Sequence, residues 1–212
     1  MRIWHFMEEK GVARFPKPIF HRIPNFVGAE KASQKLRELP EYKVAKTVFC
    51  TPDSPQIPVR KMVLEDRKIL VMATPKLKKG FLTLNPTLIP RSHISEASTI
   101  HGAFKHGRFV KPSEVKVDLF IAGSVAVSRD GGRLGKGRGY SDQEYNILKY
   151  SGGLTLQTPV ITTVHGVQIV EKIPTDEWDV PVNMIITPTR VIRASNKSEE
   201  RVQQQATSHS NA

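Results

Sequence analysis

The feature of this chain that most limits its possible folds is a series of short apolar runs separated by polar stretches. The runs cover residues 68–73, 117–123, 159–164 and 183–187, and each is almost continuously apolar. Strands of this kind are buried on both faces, which is typical of parallel sheets covered by helices on each side. The sequence therefore predicts an α/β fold of three αβα layers with a mostly parallel sheet.

Outside these runs, apolar residues at three- and four-residue spacing predict helices, and further apolar pieces predict strands. We expect helices over residues 2–10, 29–38 and 141–151, one or two helical turns over 59–66, and strands over 44–50, 125–127 and 190–193. Residues 75–114 are poorly patterned and predict a long loop region with minor strands. The expected organisation is one domain over residues 1–193 and a disordered polar tail over residues 194–212.

The charge of the chain is distributed unevenly. The formal net charge is +12, and residues 1–110 hold 20 Lys and Arg against 9 Asp and Glu. A field of this sign attracts anions such as nucleotides, polyglutamyl tails or nucleic acid. An inert basic surface explains the same charge equally well, so charge alone identifies no partner.

Several classes of protein are excluded by what the sequence lacks. Cys50 is the single cysteine, which excludes an internal disulfide and a cysteine-rich metal site. No apolar run reaches the roughly 18 residues of a transmembrane helix, and the first ten residues lack the apolar core of a secretory signal. We therefore expect a cytoplasmic protein that does not associate with membranes.

The most informative segment is a glycine-rich loop, residues 131–139, which precedes the last predicted helix. It holds five glycines in nine residues, with Arg133, Lys136 and Arg138 between them. Glycines allow the backbone to approach a ligand closely, and successive backbone N–H groups can form an anion-binding nest. Ser141 or Asp142 is the expected N-cap of the helix, whose positive end adds to the attraction. The loop therefore predicts a phosphate-binding site with mobile positive charge.

Two common nucleotide-binding motifs do not fit this loop. A P-loop would need glycine at the position of Asp130 and Ser or Thr at the position of Gly137. The dinucleotide motif Gly-x-Gly-x-x-Gly fails because the spacing here is Gly-x-Gly-x-Gly. A glycine-rich hairpin loop with solubilising charges is the alternative interpretation.

Residues 133–142 read Arg-Leu-Gly-Lys-Gly-Arg-Gly-Tyr-Ser-Asp and resemble the signature of the 5-formyltetrahydrofolate cyclo-ligases, also called methenyltetrahydrofolate synthetases. The resemblance extends over about residues 115–193. The N-terminal half, through residues 13–16 and 21–26, looks more like a divergent branch, the methenyltetrahydrofolate synthetase domain-containing proteins. The resemblance implies a NagB/RpiA/CoA-transferase-like fold. It also implies a ligase that uses ATP and Mg²⁺ to convert 5-formyltetrahydrofolate to 5,10-methenyltetrahydrofolate in one-carbon metabolism.

The resemblance also implies roles for individual residues. Lys136, Arg138 and Tyr140 would be catalytic, and with Gly137 and Gly139 they would contact the folate substrate. Asp142 and Asp179 would hold the metal, although helix capping and a loop turn are the respective structural alternatives. The ATP-binding residues would be Arg133, Leu134, Gly135, Lys136, Gly137, Arg138, Gly139, Tyr140 and Ser141.

The sequence departs from the family at the folate half of the site. Ser141 stands where the family usually has a second tyrosine, and residues 54–60 hold no carboxylate for the pterin. These departures keep two other hypotheses open. The chain could be a nucleotide- or RNA-binding protein without folate activity, or an enzyme acting on another formyl or amide substrate.

Overall fold

The computed structural model describes residues 2–137 and 139–195. Arg138 and the predicted tail beyond Ser195 lie outside the described residues. The helices are α1 (Arg2–Glu9), α2 (Ala29–Glu38), α3 (Pro40–Val44), α4 (Ile57–Glu65), α5 (Ile94–Ala97), α6 (Ile100–His106) and α7 (Tyr140–Tyr150). The strands are β1 (Thr47–Cys50), β2 (Ile69–Ala73), β3 (Phe81–Leu84), β4 (Arg108–Val110), β5 (Leu119–Ala122), β6 (Ala126–Ser128), β7 (Arg133–Leu134), β8 (Val160–Thr163), β9 (Ile169–Val170), β10 (Met184–Ile186) and β11 (Val191–Arg193).

Eight of these strands form one sheet in the order β11-β10-β8-β5-β1-β2-β3-β4. The five consecutive strands from β10 to β2 are parallel to one another. Strands β3, β4 and β11 are antiparallel additions at the two edges. The predicted α/β fold with a mostly parallel sheet is therefore confirmed.

Each central strand contributes side chains to two separate cores, one on each face of the sheet. In β1, Val48 and Cys50 pack on the face covered by helices α1 to α6. Phe49 points to the other face, where it stacks on Phe120 and where α7 packs through Leu148. Neighbouring residues of a strand point to opposite faces of the sheet. A continuously apolar strand therefore supplies apolar side chains to both cores. The result is the predicted arrangement of three layers.

The prediction of a long loop region with minor strands over residues 75–114 is confirmed for the strands and wrong for the loop. This region contains β3 and β4 as well as the short helices α5 and α6. All four residues of β3 are buried, and helices of four and seven residues are too short to display a regular apolar period. Strands β6, β7 and β9 form a second, small sheet. The strand predicted over residues 125–127 is β6, whereas β7 and β9 are not revealed by the apolar pattern. Among the described residues, no helix combines the length and the apolar character needed to cross a membrane.

Candidate active site

A cleft of about 640 Å³ opens at the carboxyl ends of the central strands. The chain runs from β1 to β2 on one side of β1, and β5 lies on the other side. Asp53, which follows β1, and Gly123, which follows β5, both line the cleft. In open α/β sheets ligands bind at this kind of switch point, where neighbouring connections leave in opposite directions.

Asp53 is held in place at the edge of the sheet by buried contacts. The buried guanidinium of Arg60 donates from Nη1 to the carbonyl oxygens of Thr51 (2.7 Å) and Asp53 (2.9 Å), and from Nε to that of Ser98 (2.7 Å). A Cβ atom at Gly123 would lie 2.7 Å from Oδ2 of Asp53. Glycine at position 123 is therefore needed for the carboxylate to lie against the end of β5.

The glycine-rich loop divides into two parts. Gly131 and Gly132 lie in the turn of the β6–β7 hairpin, in which the backbone N–H of Ser128 donates to the carbonyl of Gly132 at 2.8 Å. Gly135, Gly137 and Gly139 line the cleft. The two interpretations of this segment are a phosphate-binding loop and a hairpin loop. Each describes part of it, since one half is a hairpin turn and the other half faces the cleft.

The predicted cap of α7 is wrong. The helix begins at Tyr140, and Gly139 is the N-cap with φ of 60° in the left-handed region. Ser141 and Asp142 lie inside the first turn instead. The acidic Asp142 is still well placed there, because a negative charge near a helix N-terminus is stabilised by the helix dipole.

Lys136 connects the loop to the end of the sheet. Its Nζ lies 3.1 Å from Oδ1 of Asp53, and about 40% of the lysine side chain is exposed. Tyr140 and Ser141 line the same wall of the cleft. An anion entering the cleft would therefore meet an accessible ammonium group that a carboxylate already orients.

Arg133 is fixed and buried, contrary to the prediction of mobile charge. Its Nη2 donates to Oδ1 of Asp142 at 2.6 Å, and its Nη1 donates to the carbonyl of Gly123 at 3.1 Å. Only 4% of the arginine side chain is exposed. The backbone N–H of Val180 also donates to Oδ1 of Asp142, at 3.0 Å. The Arg133–Asp142 pair therefore ties the loop to α7 and to the segment before β10.

A second cavity of about 590 Å³ lies on the other side of the loop. Asp142 and Asp179 both line it. Asp179 also closes a turn, because its Oδ2 accepts from the backbone N–H of Asp176 at 2.8 Å. Mg²⁺ usually takes one or two carboxylates and fills its other positions with phosphate oxygens and water. The two aspartates at one cavity fit this donor set.

Two carboxylates in the cleft, Asp53 and Glu144, were missed by the sequence reasoning. Asp53 immediately precedes the segment 54–60, and its place three residues after the end of β1 is the signal that could have found it. Glu144 lies one helical turn before the buried Leu148 on α7, which is the spacing of one helix face. Burial, and then the negative charge of Asp53, raise the pKa of the Glu144 carboxyl well above its usual range.

Several buried polar atoms of the cleft have no hydrogen-bond partner among the described residues. They are Thr51 Oγ1, Arg133 Nε, Ser141 Oγ and Glu144 Oε2. Buried polar atoms in folded proteins are nearly always paired. Four unpaired donors and acceptors around one cleft are therefore available to a polar ligand or to water.

The structure brings most of the predicted site residues together. Leu134 and Asp179 line only the second cavity, and Arg138 lies outside the described residues. Of the other predicted residues, three line only the first cleft: Lys136, Tyr140 and Ser141. Five line both cavities: Arg133, Gly135, Gly137, Gly139 and Asp142. The loop is thus the wall between two adjoining cavities.

Known proteins are similar to this chain in both sequence and fold. The methenyltetrahydrofolate synthase domain-containing protein of Mus musculus is 42% identical over 200 residues, and that of Bos taurus is 41% identical over 197 residues. Each alignment covers 90% of this chain but only 53% and 52% of the respective relative. The chain therefore spans about half the length of these curated relatives.

Among solved structures, the fold is similar to that of Aquifex aeolicus 5,10-methenyltetrahydrofolate synthetase. The TM-score is 0.54 at 22% identity, and the match covers 91% of both chains. The pattern of the 5-formyltetrahydrofolate cyclo-ligase family matches residues 1–188. This match covers both the sheet and the loop that lines the cleft, so the chain belongs to the 5-formyltetrahydrofolate cyclo-ligase family.

Proposed function

We propose that this protein uses ATP and Mg²⁺ to convert 5-formyltetrahydrofolate to 5,10-methenyltetrahydrofolate. The observation that carries the proposal is the cleft at the β1–β5 switch point, where unpaired buried polar atoms surround the glycine-rich loop. In the proposed reaction the formyl oxygen takes the γ-phosphoryl group of ATP, N10 closes the ring and phosphate leaves. Family membership and the matched relatives support this activity.

The loop supplies the positioning and the charge that phosphoryl transfer requires. We assign Lys136, Arg138 and the loop amides to the triphosphate, and Tyr140 to the boundary between nucleotide and folate. Asp142 and Asp179 would hold Mg²⁺, which neutralises phosphate charge when bound. Asp142 lines both cavities, and its pairing with Arg133 holds this carboxylate in place.

The cleft also bears on the second hypothesis, a nucleotide- or RNA-binding protein without folate activity. That hypothesis rests partly on the absence of a carboxylate from residues 54–60. Asp53 and Glu144 line the cleft, and either carboxyl can accept hydrogen bonds from the amino and ring N–H groups of a pterin. This supports the enzyme over the binding protein, and the comparisons give no support to RNA binding. A cytoplasmic location stays a prediction.

The proposal is tested by mixing the purified protein with ATP, Mg²⁺ and 5-formyltetrahydrofolate and following the near-ultraviolet absorbance of the methenyl product. We expect ATP-dependent product formation that Lys136→Ala reduces by about 100-fold, because charge stabilisation at a transferred phosphoryl group is lost. Lys31→Ala is the matched control, since Lys31 is exposed on α2 and lines neither cavity. No product from the wild-type protein would refute the folate activity.

A further inference from the structure

A cluster of metal-binding side chains lies outside the cleft, on the two short helices of the region 91–106. His93 ends a 3-10 turn (Arg91–His93), Glu96 lies in α5 one turn later, and His106 is the last residue of α6. One ligand atom from each side chain lies within 4.8 Å of the other two. Among the described residues this is the one group of three His, Cys, Asp or Glu side chains with that geometry.

The cluster is partly built already. His106 Nε2 and Glu96 Oε2 are 2.8 Å apart, and only 12% of the His106 side chain is exposed. The His93 ring lies beside the His106 ring, with centroids 5.4 Å apart. A tetrahedral site with bonds of 2.0–2.1 Å separates its ligand atoms by about 3.4 Å. The ligand atoms now lie 2.8 Å apart at the Glu96–His106 pair and within 4.8 Å elsewhere, so binding a cation requires these side chains, including the exposed His93, to shift.

The ligand chemistry selects the class of cation. Two imidazole nitrogens and one carboxylate oxygen suit Zn²⁺ and its neighbours in the first transition row, whereas Mg²⁺ and Ca²⁺ prefer oxygen ligands throughout. Three protein ligands leave a fourth position for water. We propose that His93, Glu96 and His106 form a Zn²⁺-class metal site separate from the phosphate-binding cleft.

A cation at this site would join α5 to the end of α6. The same pair of helices borders the cleft, because Ile100 of α6 lines it. Arg60, which holds Asp53, also donates to the carbonyl of Ser98, directly after α5. Lys105 lies on the other side of the carboxylate, with Nζ 2.8 Å from Glu96 Oε1. The ammonium orients Glu96, but its charge also repels a cation. Lys105 therefore fixes the position of Glu96 but lowers the affinity of the site for a cation.

Zn²⁺ binding to the full chain, measured by titration calorimetry without nucleotide and with Mg²⁺ in excess, tests the proposal. We expect one Zn²⁺ per chain and a rise in Tm, since a ligand that binds the folded state stabilises it. Glu96→Gln and His93→Ala should each weaken binding by at least about 100-fold, because loss of even an outer-shell partner costs about 10- to 100-fold. His106→Ala should do the same if it folds.

Two further variants separate this site from adventitious binding by histidine. His101→Ala removes an exposed histidine from α6 that is outside the cluster, and it should leave Zn²⁺ affinity unchanged. Lys105→Ala removes the competing cation and should tighten binding by about three- to tenfold. The proposal is overturned if the wild-type chain takes up no Zn²⁺, if Glu96→Gln and His93→Ala bind like wild type, or if His101→Ala weakens binding equally.

Discussion

At the scale of single residues, Glu144 shows a conflict between stability and ligand binding. Its side chain is buried on α7, and its Oε2 has no partner among the described residues. Leaving a buried acceptor unpaired costs about 1–3 kcal/mol. A fold selected for stability alone would place an apolar side chain there. Its position in the cleft therefore makes it a candidate partner for a polar ligand.

This conflict predicts the behaviour of Glu144→Leu, which replaces the carboxyl with an apolar group of similar size. The free energy of unfolding should rise by about 1–3 kcal/mol, because the desolvated carboxyl is removed. Turnover of 5-formyltetrahydrofolate should fall at the same time. Urea denaturation and the product assay measure the two effects. Glu144→Gln, which keeps polar atoms in the same place, should gain less stability, and a Leu variant less stable than wild type would contradict the interpretation.

At the scale of elements, the junction between the loop and α7 depends on one glycine. Gly139 has φ of 60°, and an added Cβ would meet no atom within 4 Å. The need for glycine is thus conformational rather than steric. An L-residue in the left-handed region costs about 1–2 kcal/mol, so Gly139→Ala should lower the free energy of unfolding by that amount in urea denaturation.

Gly135 provides the matched control for Gly139. It lies in the same loop without a positive φ, and an added Cβ would make only an ordinary contact, 3.5 Å from Arg133 Nη1. Gly135→Ala should therefore stay within about 0.5 kcal/mol of wild type. Equal losses in the two variants would show that the left-handed conformation is not the cause.

The elements also show where sequence patterns carry enough information. The parallel strands β2, β5, β8 and β10 are predictable because both of their faces are buried, so each appears as a continuous apolar run. The region 75–114 is not predictable in this way. Its strands are short and antiparallel, and only β4 lies at the edge of the sheet. The short helices α5 and α6 are stabilised by contacts with each other, with α4 and with β3 rather than by a long apolar face.

At the scale of the whole molecule, the candidate site combines a local motif with contacts distant in sequence. The loop 131–139 is recognisable by its glycines and its position before a helix. Asp53 reaches Lys136 across 83 positions of sequence, and only the order of β1 and β5 in the sheet brings the two together. The proposed phosphate-binding half of the site can therefore be predicted from one segment of the sequence. The positions of the carboxylates in the cleft depend instead on the order of the strands in the sheet.

The helical layer opposite α7 is tied together by a polar cluster at its surface. Asp66, directly after α4, accepts hydrogen bonds from Arg37 of α2 at 2.8 Å and from Tyr42 of α3 at 2.9 Å. Burial raises the pKa of the Asp66 carboxyl, but the hydrogen bonds from Arg37 and Tyr42 outweigh it, so the net pKa is lowered. The charged carboxylate is therefore the form that stabilises the folded chain.

This lowered pKa predicts a pH-dependent effect of Asp66→Asn. At pH 7 the variant should lose about 1 kcal/mol of unfolding free energy, a value reduced because Arg37 is 40% exposed. The loss should persist above the unfolded-state pKa of about 3.9 and shrink as pH falls through the lower folded-state pKa, where wild-type Asp66 also becomes neutral. Glu8→Gln is the control, since Glu8 of α1 forms an exposed pair with Lys17 away from this cluster. A difference between Asp66→Asn and wild type that stays constant down to pH 2 would show that the charge of Asp66 is not what joins these helices.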